Sequence, residues 1–300
     1  MAKIKFRDIK MRKANRQRLN DINNIIEEYQ KEGYVLTLRQ LYYQLVSRDI
    51  IPNKQSEYAK LSTLLKEGRM AGIVDWDAIE DRLRKPDKPS SFNGPESILN
   101  AAIQQYALPR QAGQKTYIEV WVEKDALSGV LKRITEKYHI PILVNRGYSS
   151  ASAMFDAYER FSNYAGSEMQ CKILYLGDFD PSGLDMIRDI QDRVMEFIKG
   201  SSDSIVCDMN FSVQPIALTV EQIELYNPPP NPAKIEDPRA KYFINKYGKT
   251  SWEVDALRPD VLNSLLEKSI LECIDESLYL SIVNREEADK EKLRSLFQYL

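Results

Sequence analysis

The sequence predicts an α/β protein in which an N-terminal helical domain precedes a domain built on a mainly parallel sheet. Three stretches before residue 84 repeat apolar residues at helical spacing. After residue 116, short apolar runs of strand length alternate with amphipathic helical stretches. Between the two regions, residues 85–95 contain three Pro, two Lys, two Ser and one Gly, which is typical of a linker.

Length and composition narrow the class of protein. With 300 residues, 43% hydrophobic and 29% charged, the chain has the composition of an ordinary soluble protein of about two domains. No apolar run approaches the ~20 residues of a membrane span, and the amino terminus lacks a signal-peptide core, so we expect a cytoplasmic protein without membrane contact. The three cysteines are widely spaced, which excludes a disulfide framework, and the single histidine, His139, excludes a histidine-rich metal site.

Basic residues are concentrated at the amino terminus. Residues 1–84 carry 17 Lys and Arg against 12 Asp and Glu, whereas the net charge of the whole chain is -2. Within residues 1–20, eight basic side chains accompany a single acid, Asp8. A basic arm of this kind is typical of nucleic-acid binding, although a solvated tail has the same composition.

Residues 21–84 are predicted to form a helical DNA-binding domain. Helical periodicity extends over Asn15–Lys31, over Leu38 to about Asp49 and over Gln55–Met70, and Thr37 is a suitable N-cap for the second helix. Three short helices with a basic surface resemble a helix-turn-helix or winged-helix module. The candidate DNA contacts on the third helix are basic side chains that point outward: Lys60, Lys66 and Arg69.

The second helix carries two adjacent tyrosines in different environments. At 100° per residue, Tyr42 lies within a leucine stripe and is predicted to be a core residue. Tyr43 lies one turn after Arg39 on another face, where the guanidinium can meet the phenol oxygen or a phosphate bound beside it. Tyr43 is therefore the better candidate nucleophile, with packing of both tyrosines as the plain alternative.

Residues 85–115 are predicted to be a linker and a helix, and residues 116–300 the sheet domain with a C-terminal extension. Parallel strands joined by right-handed helical crossovers bring their carboxyl ends to one edge of the sheet. That edge is expected to carry Glu123, the turn at Arg146 and Gly147, and the two acids Asp178 and Asp180. Arg146 is the fourth candidate DNA contact. The expected strands are 117–122, 140–144, 172–177 and 213–218, and the expected helices between them are 125–138, 150–164 and 182–198.

Three carboxylates are predicted to converge at this edge. Asp178 and Asp180 are two residues apart, so they share a face in extended chain, and Glu123 ends another strand. Hard oxygen ligands without histidine or thiolate suit Mg²⁺, with Mn²⁺ as the alternative ion. In a competing interpretation Asp180 only caps the helix that begins at Pro181.

The C-terminal extension is less informative. Glu253 and Asp255 are each a candidate further acid, with surface charge as the preferred interpretation. Residues 247–250 resemble the end of a phosphate-binding loop, but Phe243 stands where the first glycine is required, so no nucleotide-hydrolysing motif and no nucleotide cofactor are predicted.

A known family combines these features. Glu123 after one strand and Asp178-x-Asp180-Pro-x-Gly after another resemble the Toprim domain of topoisomerases, primases and related nucleases. With Leu-Thr-Leu-Arg-Gln-Leu-Tyr-Tyr at residues 36–43 on a preceding helical module, the chain resembles the topoisomerase VI A subunit and the meiotic double-strand-break transesterases. It is most similar to the compact, stand-alone mini-A group of mobile elements.

The resemblance implies a function and roles for individual residues. Tyr43 would attack a phosphodiester of double-stranded DNA, assisted by Arg39, while Glu123, Asp178 and Asp180 hold Mg²⁺. The implied class is a DNA-cleaving transesterase of the isomerase type, acting as a homodimer in which tyrosine and metal site come from opposite protomers. Larger members work with a separate ATPase subunit, and nothing in this chain resembles that partner.

Two other functions are compatible with the same residues. In a metal-dependent Toprim nuclease, water would attack the phosphate and Tyr43 would only pack or bind. In a DNA-binding protein without catalysis, the acids would serve the structure alone.

Overall fold

Three helices form the N-terminal part of the chain in the computed structural model, which describes residues 3–80, 89–166, 168–232, 237 and 239–297. They are α1 (Lys13–Lys31), α2 (Leu38–Ser47) and α3 (Gln55–Met70). Thr37 caps α2 as predicted, because its hydroxyl accepts the Gln40 N–H while the Gln40 side chain accepts the Thr37 N–H. The predicted basic arm extends into α1, so its non-helical part comprises residues 3–12.

Two isolated bridges complete the helical unit. Lys5 pairs with Ala71 in an antiparallel bridge, and Leu36 pairs with Ile79 in a parallel one. Residues 3–80 contain no two-stranded hairpin of the kind that forms a wing. Residues 81–88, which include the first four residues of the predicted linker, lie outside the described residues. The helical domain is therefore present, and the finer winged-helix assignment is left to the proposal below.

The second part of the chain is a parallel sheet with helical crossovers, as predicted. The four strands are β1 (Thr116–Val122), β2 (Ile142–Val144), β3 (Gln170–Leu176) and β4 (Asn210–Ala217). Helix α4 (Pro95–Gln105) precedes β1, and the crossovers are α5 (Asp125–Tyr138), α6 (Ala151–Ser162) and α7 (Pro181–Lys199). The remaining elements are α8 (Ser204–Cys207), α9 (Val220–Tyr226), β5 (Asn231–Pro232), α10 (Ala240–Tyr247), β6 (Thr250–Ser251), α11 (Pro259–Leu271) and α12 (Glu276–Phe297).

The order of the strands determines where a ligand site can form. The sheet runs β2-β1-β3-β4, so the chain leaves β1 toward one edge and later returns to β3 on the other side of β1. Open α/β sheets bind ligands in the crevice at such a reversal, outside the carboxyl ends of the strands. In this chain the crevice lies between the ends of β1 and β3, where Glu123 and Asp178 follow.

The two faces of the sheet are covered by different helices. Helices α5 and α11 pack on one face around Leu127, Leu131, Leu262 and Leu266, whereas α6 and α7 cover the other face around Trp121. Among the described residues, none of the helices combines the length and the apolar composition that a bilayer span requires.

A buried acid fixes the last helix to the segment between α4 and β1. Glu286 of α12 is fully buried, accepts the Leu108 N–H at 3.0 Å and pairs with Arg110 and Lys290 at 2.9 and 2.8 Å. Burial alone would raise the pKa of Glu286, but these donors outweigh it and lower the pKa to about 2. Because the folded pKa lies below the unfolded one, the ionised carboxylate stabilises the fold above the unfolded pKa, and that stability is lost as the pH falls toward 2.

We expect Glu286→Gln to lower the free energy of unfolding by about 3 kcal/mol at pH 7, because the neutral amide loses the charge that Arg110 and Lys290 stabilise and that lowers the pKa to about 2. Urea denaturation should show the difference from wild type shrinking as the pH is lowered. Glu287→Gln, at an exposed neighbouring acid that also pairs with Lys290, is the control and should change stability by less than about 1 kcal/mol. A gap that does not depend on pH would contradict this account.

Candidate active site

The three predicted acids lie at the crevice between β1 and β3, and we call Glu123, Asp178 and Asp180 the acid edge. The Glu123 N–H donates to the Leu176 carbonyl at 2.9 Å, which continues the pairing of the two strands by one residue. The Glu123 Oε2 atom accepts the Asp178 N–H at 3.0 Å. The fold therefore brings the end of one strand against the end of the other, as the sequence predicted.

Two glycines make this close approach feasible. A Cβ atom at Gly177 would lie 3.0 Å from Glu123 Oε2 and 2.5 Å from a ring carbon of Tyr175. A Cβ atom at Gly183 would lie 2.1 Å from the Asp178 carbonyl oxygen. Any side chain at either position would push the acid edge apart, which gives the glycine of the Asp-x-Asp-Pro-x-Gly stretch a physical reason.

Asp180 has a structural role as the N-cap of α7. Its Oδ1 atom accepts the Gly183 N–H at 2.6 Å, and Pro181 occupies the first turn of α7, so the predicted helix cap is confirmed. The cap occupies one carboxylate oxygen. A role of Asp180 as metal ligand would use the other oxygen.

The pKa values of two acids of the acid edge, Glu123 and Asp178, are raised. Burial first, and the negative charge of Asp178 second, raise the pKa of Glu123 to about 7. Burial also raises the pKa of Asp178, although the charge of Lys124 opposes the change. The charge of Lys124 acts on both acids but does not offset their burial, and a bound divalent cation would favour ionisation of both.

Lys124, which sequence reasoning missed, lies among the acids. Its Nζ atom is 2.8 Å from Asp178, 2.8 Å from Glu253 and 3.1 Å from Asp255. Burial works to lower the pKa of Lys124, but the charges of Asp255 and Asp178 outweigh it and the pKa is raised, so the ammonium stays charged. Its position directly after Glu123 is the only signal in the sequence that could have identified it.

The acids Glu253 and Asp255 reach the site through a short backbone connection. Phe179 and Trp252 form an antiparallel bridge with hydrogen bonds of 2.8 and 3.1 Å, and the Val254 N–H donates to Asp178 Oδ1 at 2.9 Å. The residues after Trp252 are thereby fixed beside the acid edge.

The prediction that these two acids are surface charges is wrong for Asp255, which is fully buried. It was wrong because the short 3-10 turn Val254–Ala256 has no regular spacing of apolar residues. The sequence therefore did not predict that this turn packs against α2. The Glu253 side chain remains partly exposed, at 25%.

Arg39 of α2 forms ion pairs with Glu253 and Asp255. Its Nε atom lies 2.6 Å from Asp255 Oδ2, and its Nη2 atom pairs with Glu253. The guanidinium carbon is 5.8 Å from the centre of the Tyr43 ring. The second stripe of α2, which the periodicity separated from the leucine stripe, therefore faces Glu253 and Asp255 of the same chain.

Tyr43 lies on this stripe but is buried, with only 4% of the residue exposed. Its hydroxyl oxygen accepts a hydrogen bond from Asn231 Nδ2 at 3.4 Å, and the same amide group is 3.5 Å from Glu253 Oε1. Burial first, and then the charge of Asp255, raise the pKa of Tyr43 despite the nearby Arg39. Because burial outweighs the effect of Arg39 on the pKa, the phenol is neutral in this state.

Two adjoining cavities lead to the Tyr43 side of the site. One, of about 400 Å³, is lined by Arg39, Tyr43, Lys54, Tyr58, Asn231 and Glu253, among others. The other, of about 490 Å³, shares Arg39 and Tyr58 with it and continues past Lys66, Arg69, Trp76 and Asp125. We call the two cavities together the α2–α3 groove.

The four predicted DNA contacts are placed differently. Lys66 and Arg69 line the α2–α3 groove, but Arg69 also donates to the Trp76 and Ile79 carbonyls, both at 2.9 Å. Lys60 pairs with Glu57 at 2.6 Å and lines a separate cavity. Arg146 is exposed in the turn before Gly147, where it pairs with Asp125 at 3.1 Å.

The donor set fits a hard divalent cation. Contacts link four acids of the site with the two cations Arg39 and Lys124, and a fifth acid, Asp180, is close enough for its charge to act on Glu123, so acids outnumber cations. Within the described ranges no three His, Cys, Asp or Glu side chains are already arranged as a metal cluster. The carboxylates of the site are Glu123, Asp178, Asp180, Glu253 and Asp255.

Comparisons with protein-family models and with curated proteins find no match to this sequence. The functional interpretation therefore depends on the geometry of the site and on the resemblance of its motifs.

Proposed function

We propose that this chain is a DNA-cleaving transesterase of the topoisomerase VI A type, in which Tyr43 attacks a phosphodiester of double-stranded DNA. The observation that carries the proposal is the single network of contacts from α2 to the acid edge. Arg39, one turn before Tyr43, pairs with Asp255, and Asp255 shares Lys124 with Asp178. A candidate nucleophile, two cations and the acids are thus gathered by two parts of the fold.

The α2–α3 groove supports a polymeric, anionic substrate. It runs along the helical unit from Lys66 and Arg69 to Arg39, and it ends at Tyr43. Phosphate contacts from Lys and Arg provide most of the affinity in nucleic-acid complexes, whereas the neighbouring acids would repel a phosphate without their own cation. We propose that the helical unit acts as the winged-helix-like module that holds the duplex along this groove.

Mg²⁺, or Mn²⁺ in its place, would be held by Glu123, Asp178 and the oxygen of Asp180 that is not used in the helix cap. When bound, such an ion supplies positive charge for the scissile phosphate and for the leaving oxygen. The chain itself supplies Arg39 and Lys124 on the Tyr43 side, and these cations stabilise the charge that develops on the phosphate oxygens.

The proposed reaction exchanges one ester for another. The Tyr43 oxygen forms a bond to phosphorus while the bond from phosphorus to a sugar oxygen breaks; the phenol loses its proton to solvent, and the sugar oxygen gains one. Because the tyrosyl phosphodiester keeps an ester bond, the sugar hydroxyl can attack it in reverse and reseal the strand. Two protomers related by a two-fold axis would cut both strands.

One observation favours a second candidate, a metal-dependent nuclease in which water attacks. Tyr43 is 4% exposed and its pKa is raised, so the resting site does not generate a phenolate. The two mechanisms leave different products. A nuclease releases ends that carry no protein, whereas a transesterase leaves the chain attached to DNA.

The test is a trapping reaction on supercoiled plasmid with Mg²⁺ or Mn²⁺, stopped with denaturant and digested with nuclease and protease. We expect a peptide that contains Tyr43 and carries a nucleotide, identified by mass spectrometry. Metal-dependent cleavage whose ends are free of protein would replace the proposed transesterase by the nuclease. No cleavage under any metal would exclude both.

A further inference from the structure

We propose that residues 3–12 form a DNA-binding arm that is docked on the end of α3 and extends the α2–α3 groove beyond Trp76. We call these residues the docked arm. The inference rests on the proposed function, because it assigns a further contact with the same DNA duplex. It concerns a surface that the reaction at Tyr43 does not use, and its partner is recognised by phosphate charge and by packing on sugars and bases.

The first support is that the backbone of the docked arm follows a defined course. The Phe6 and Arg7 N–H groups both donate to the Met70 carbonyl at the end of α3, at 2.9 and 3.0 Å. At Gly72, where φ is +69°, an added Cβ atom would lie 3.0 Å from the backbone nitrogen of Lys5. A segment that is already ordered loses less conformational entropy on binding than a free tail does.

The second support is the excess of positive charge on this segment. Residues 3–16 contain seven Lys and Arg side chains and one acid, Asp8, which pairs with Lys5. The basic side chains Lys3, Lys10 and Arg12 are exposed. A fixed surface with such an excess attracts the phosphates of a polyanion over a long range.

The third support is the beginning of α1, into which the docked arm leads. The positive end of a helix dipole is stabilised by acids, but the first turn of α1, all of which is described, contains none. Lys13 and Arg16 add positive charge there, and the N-cap residue, Arg12, makes no capping bond with its side chain. This arrangement costs stability in the free protein, and a bound phosphate would offset the cost.

The fourth support is an exposed aromatic pair where the docked arm meets the α2–α3 groove. The Phe6 and Trp76 rings meet edge to face with centroids 5.6 Å apart, and 61% and 36% of these residues stay exposed. Trp76 lines the groove, and its Nε1 atom donates to the Ile4 carbonyl of the docked arm at 3.3 Å. Arg69, also in the groove, places its guanidinium carbon 5.8 Å from the Trp76 ring centre. Groove and docked arm therefore form one continuous surface of basic and aromatic groups, which suits nucleic acid.

The test is DNA affinity measured without catalysis. Fluorescence anisotropy of a labelled duplex is followed in EDTA over a range of salt concentrations, for wild type and for the double variant Lys3→Ala with Lys10→Ala. Each phosphate contact contributes about 0.9 to the slope of log affinity against log salt. The double variant should therefore lower the slope by about 1.8 and weaken binding by about ten-fold or more at low salt.

A second double variant, Lys115→Ala with Lys199→Ala, is the matched control. It removes the same charge from two exposed lysines at the amino ends of the strands, one just before β1 and one at the end of α7. Because these side chains lie outside the proposed surface, affinity should stay within about two-fold of wild type. Equal losses in the two double variants would show that only net charge matters and would overturn the inference.

Phe6→Ala separates aromatic packing from charge. This variant should weaken binding by about five-fold or more without changing the salt slope, because a ring contact releases no counterions. Circular dichroism checks that each variant keeps its fold.

The remaining outcomes distinguish this inference from the proposed function. Arm variants that bind the duplex as tightly as wild type would overturn the inference and leave the proposed function intact. A wild type that binds DNA through the docked arm but forms no adduct at Tyr43 would overturn the proposed function alone. Vesicles of anionic lipid that displace the duplex at equal phosphate concentration would assign the docked arm to a membrane surface and overturn DNA as its partner.

Discussion

Replacing Tyr43 with Phe is expected to abolish the covalent protein–DNA adduct and to reduce metal-dependent cleavage by at least about a thousand-fold, because the attacking oxygen is removed. The ring would keep its packing, so the fold should survive. Quantitative trapping on denaturing gels, with the thermal midpoint measured in parallel, checks both statements. Cleavage that persists in this variant would assign the attack to water.

Tyr42 provides the matched control for this experiment. It is adjacent in sequence and equally buried, but its hydroxyl donates to Asn53 Oδ1 at 2.9 Å and to the Lys54 carbonyl at 3.3 Å. Tyr42→Phe should lower stability by about 1 kcal/mol through the lost hydrogen bond and should leave adduct formation within about two-fold of wild type. An adduct that disappears in Tyr42→Phe but persists in Tyr43→Phe would exchange the roles of the two residues.

Asp255→Asn is expected to reduce adduct formation by about a hundred-fold, because Arg39 and Lys124 would lose the charge that positions both of them. Asp255 does not face the α2–α3 groove, so the variant's affinity for DNA in EDTA should stay close to that of wild type. A loss of affinity equal to the loss of adduct would show that Asp255 acts on binding instead.

A double-mutant cycle isolates the coupling between Asp255 and Arg39. Because Asp255 also pairs with Lys124, the double variant Arg39→Ala with Asp255→Asn should form adduct more slowly than Arg39→Ala alone, but by less than the two single losses combined. Strictly additive losses would contradict a positioning role. Asp260→Asn, at a partly exposed acid that pairs with Arg258, is the control and should behave as wild type.

Much of the fold could be predicted because its signals are local. The Thr37 cap, the ends of α3 and the alternation of strands and helices each depend on neighbouring residues. The meeting of Glu123 with Asp178 followed from a general rule, since parallel strands end at one edge. Those predictions needed no knowledge of distant contacts.

The rest of the site depends on contacts that no local pattern encodes. Lys124 meets Glu253 and Asp255 across 129 and 131 positions of sequence. Periodicity separated Tyr43 from the core stripe of α2, but it could not show that Asp255 and Asn231 cover that stripe. Asp255 was taken for a surface charge because hydrophilicity in the sequence does not distinguish a solvated acid from a buried, paired one.

Ala256, from the C-terminal part of the chain, packs in the core of the helical unit, so the two parts of the chain share one interior. A fragment ending near residue 84 would lack a side chain that fills its own interior, and the remaining fragment would expose Ala256 and leave Asp255 without Arg39. We therefore expect neither piece to fold independently, and calorimetry on the intact chain should record one cooperative endotherm in place of two separate melts.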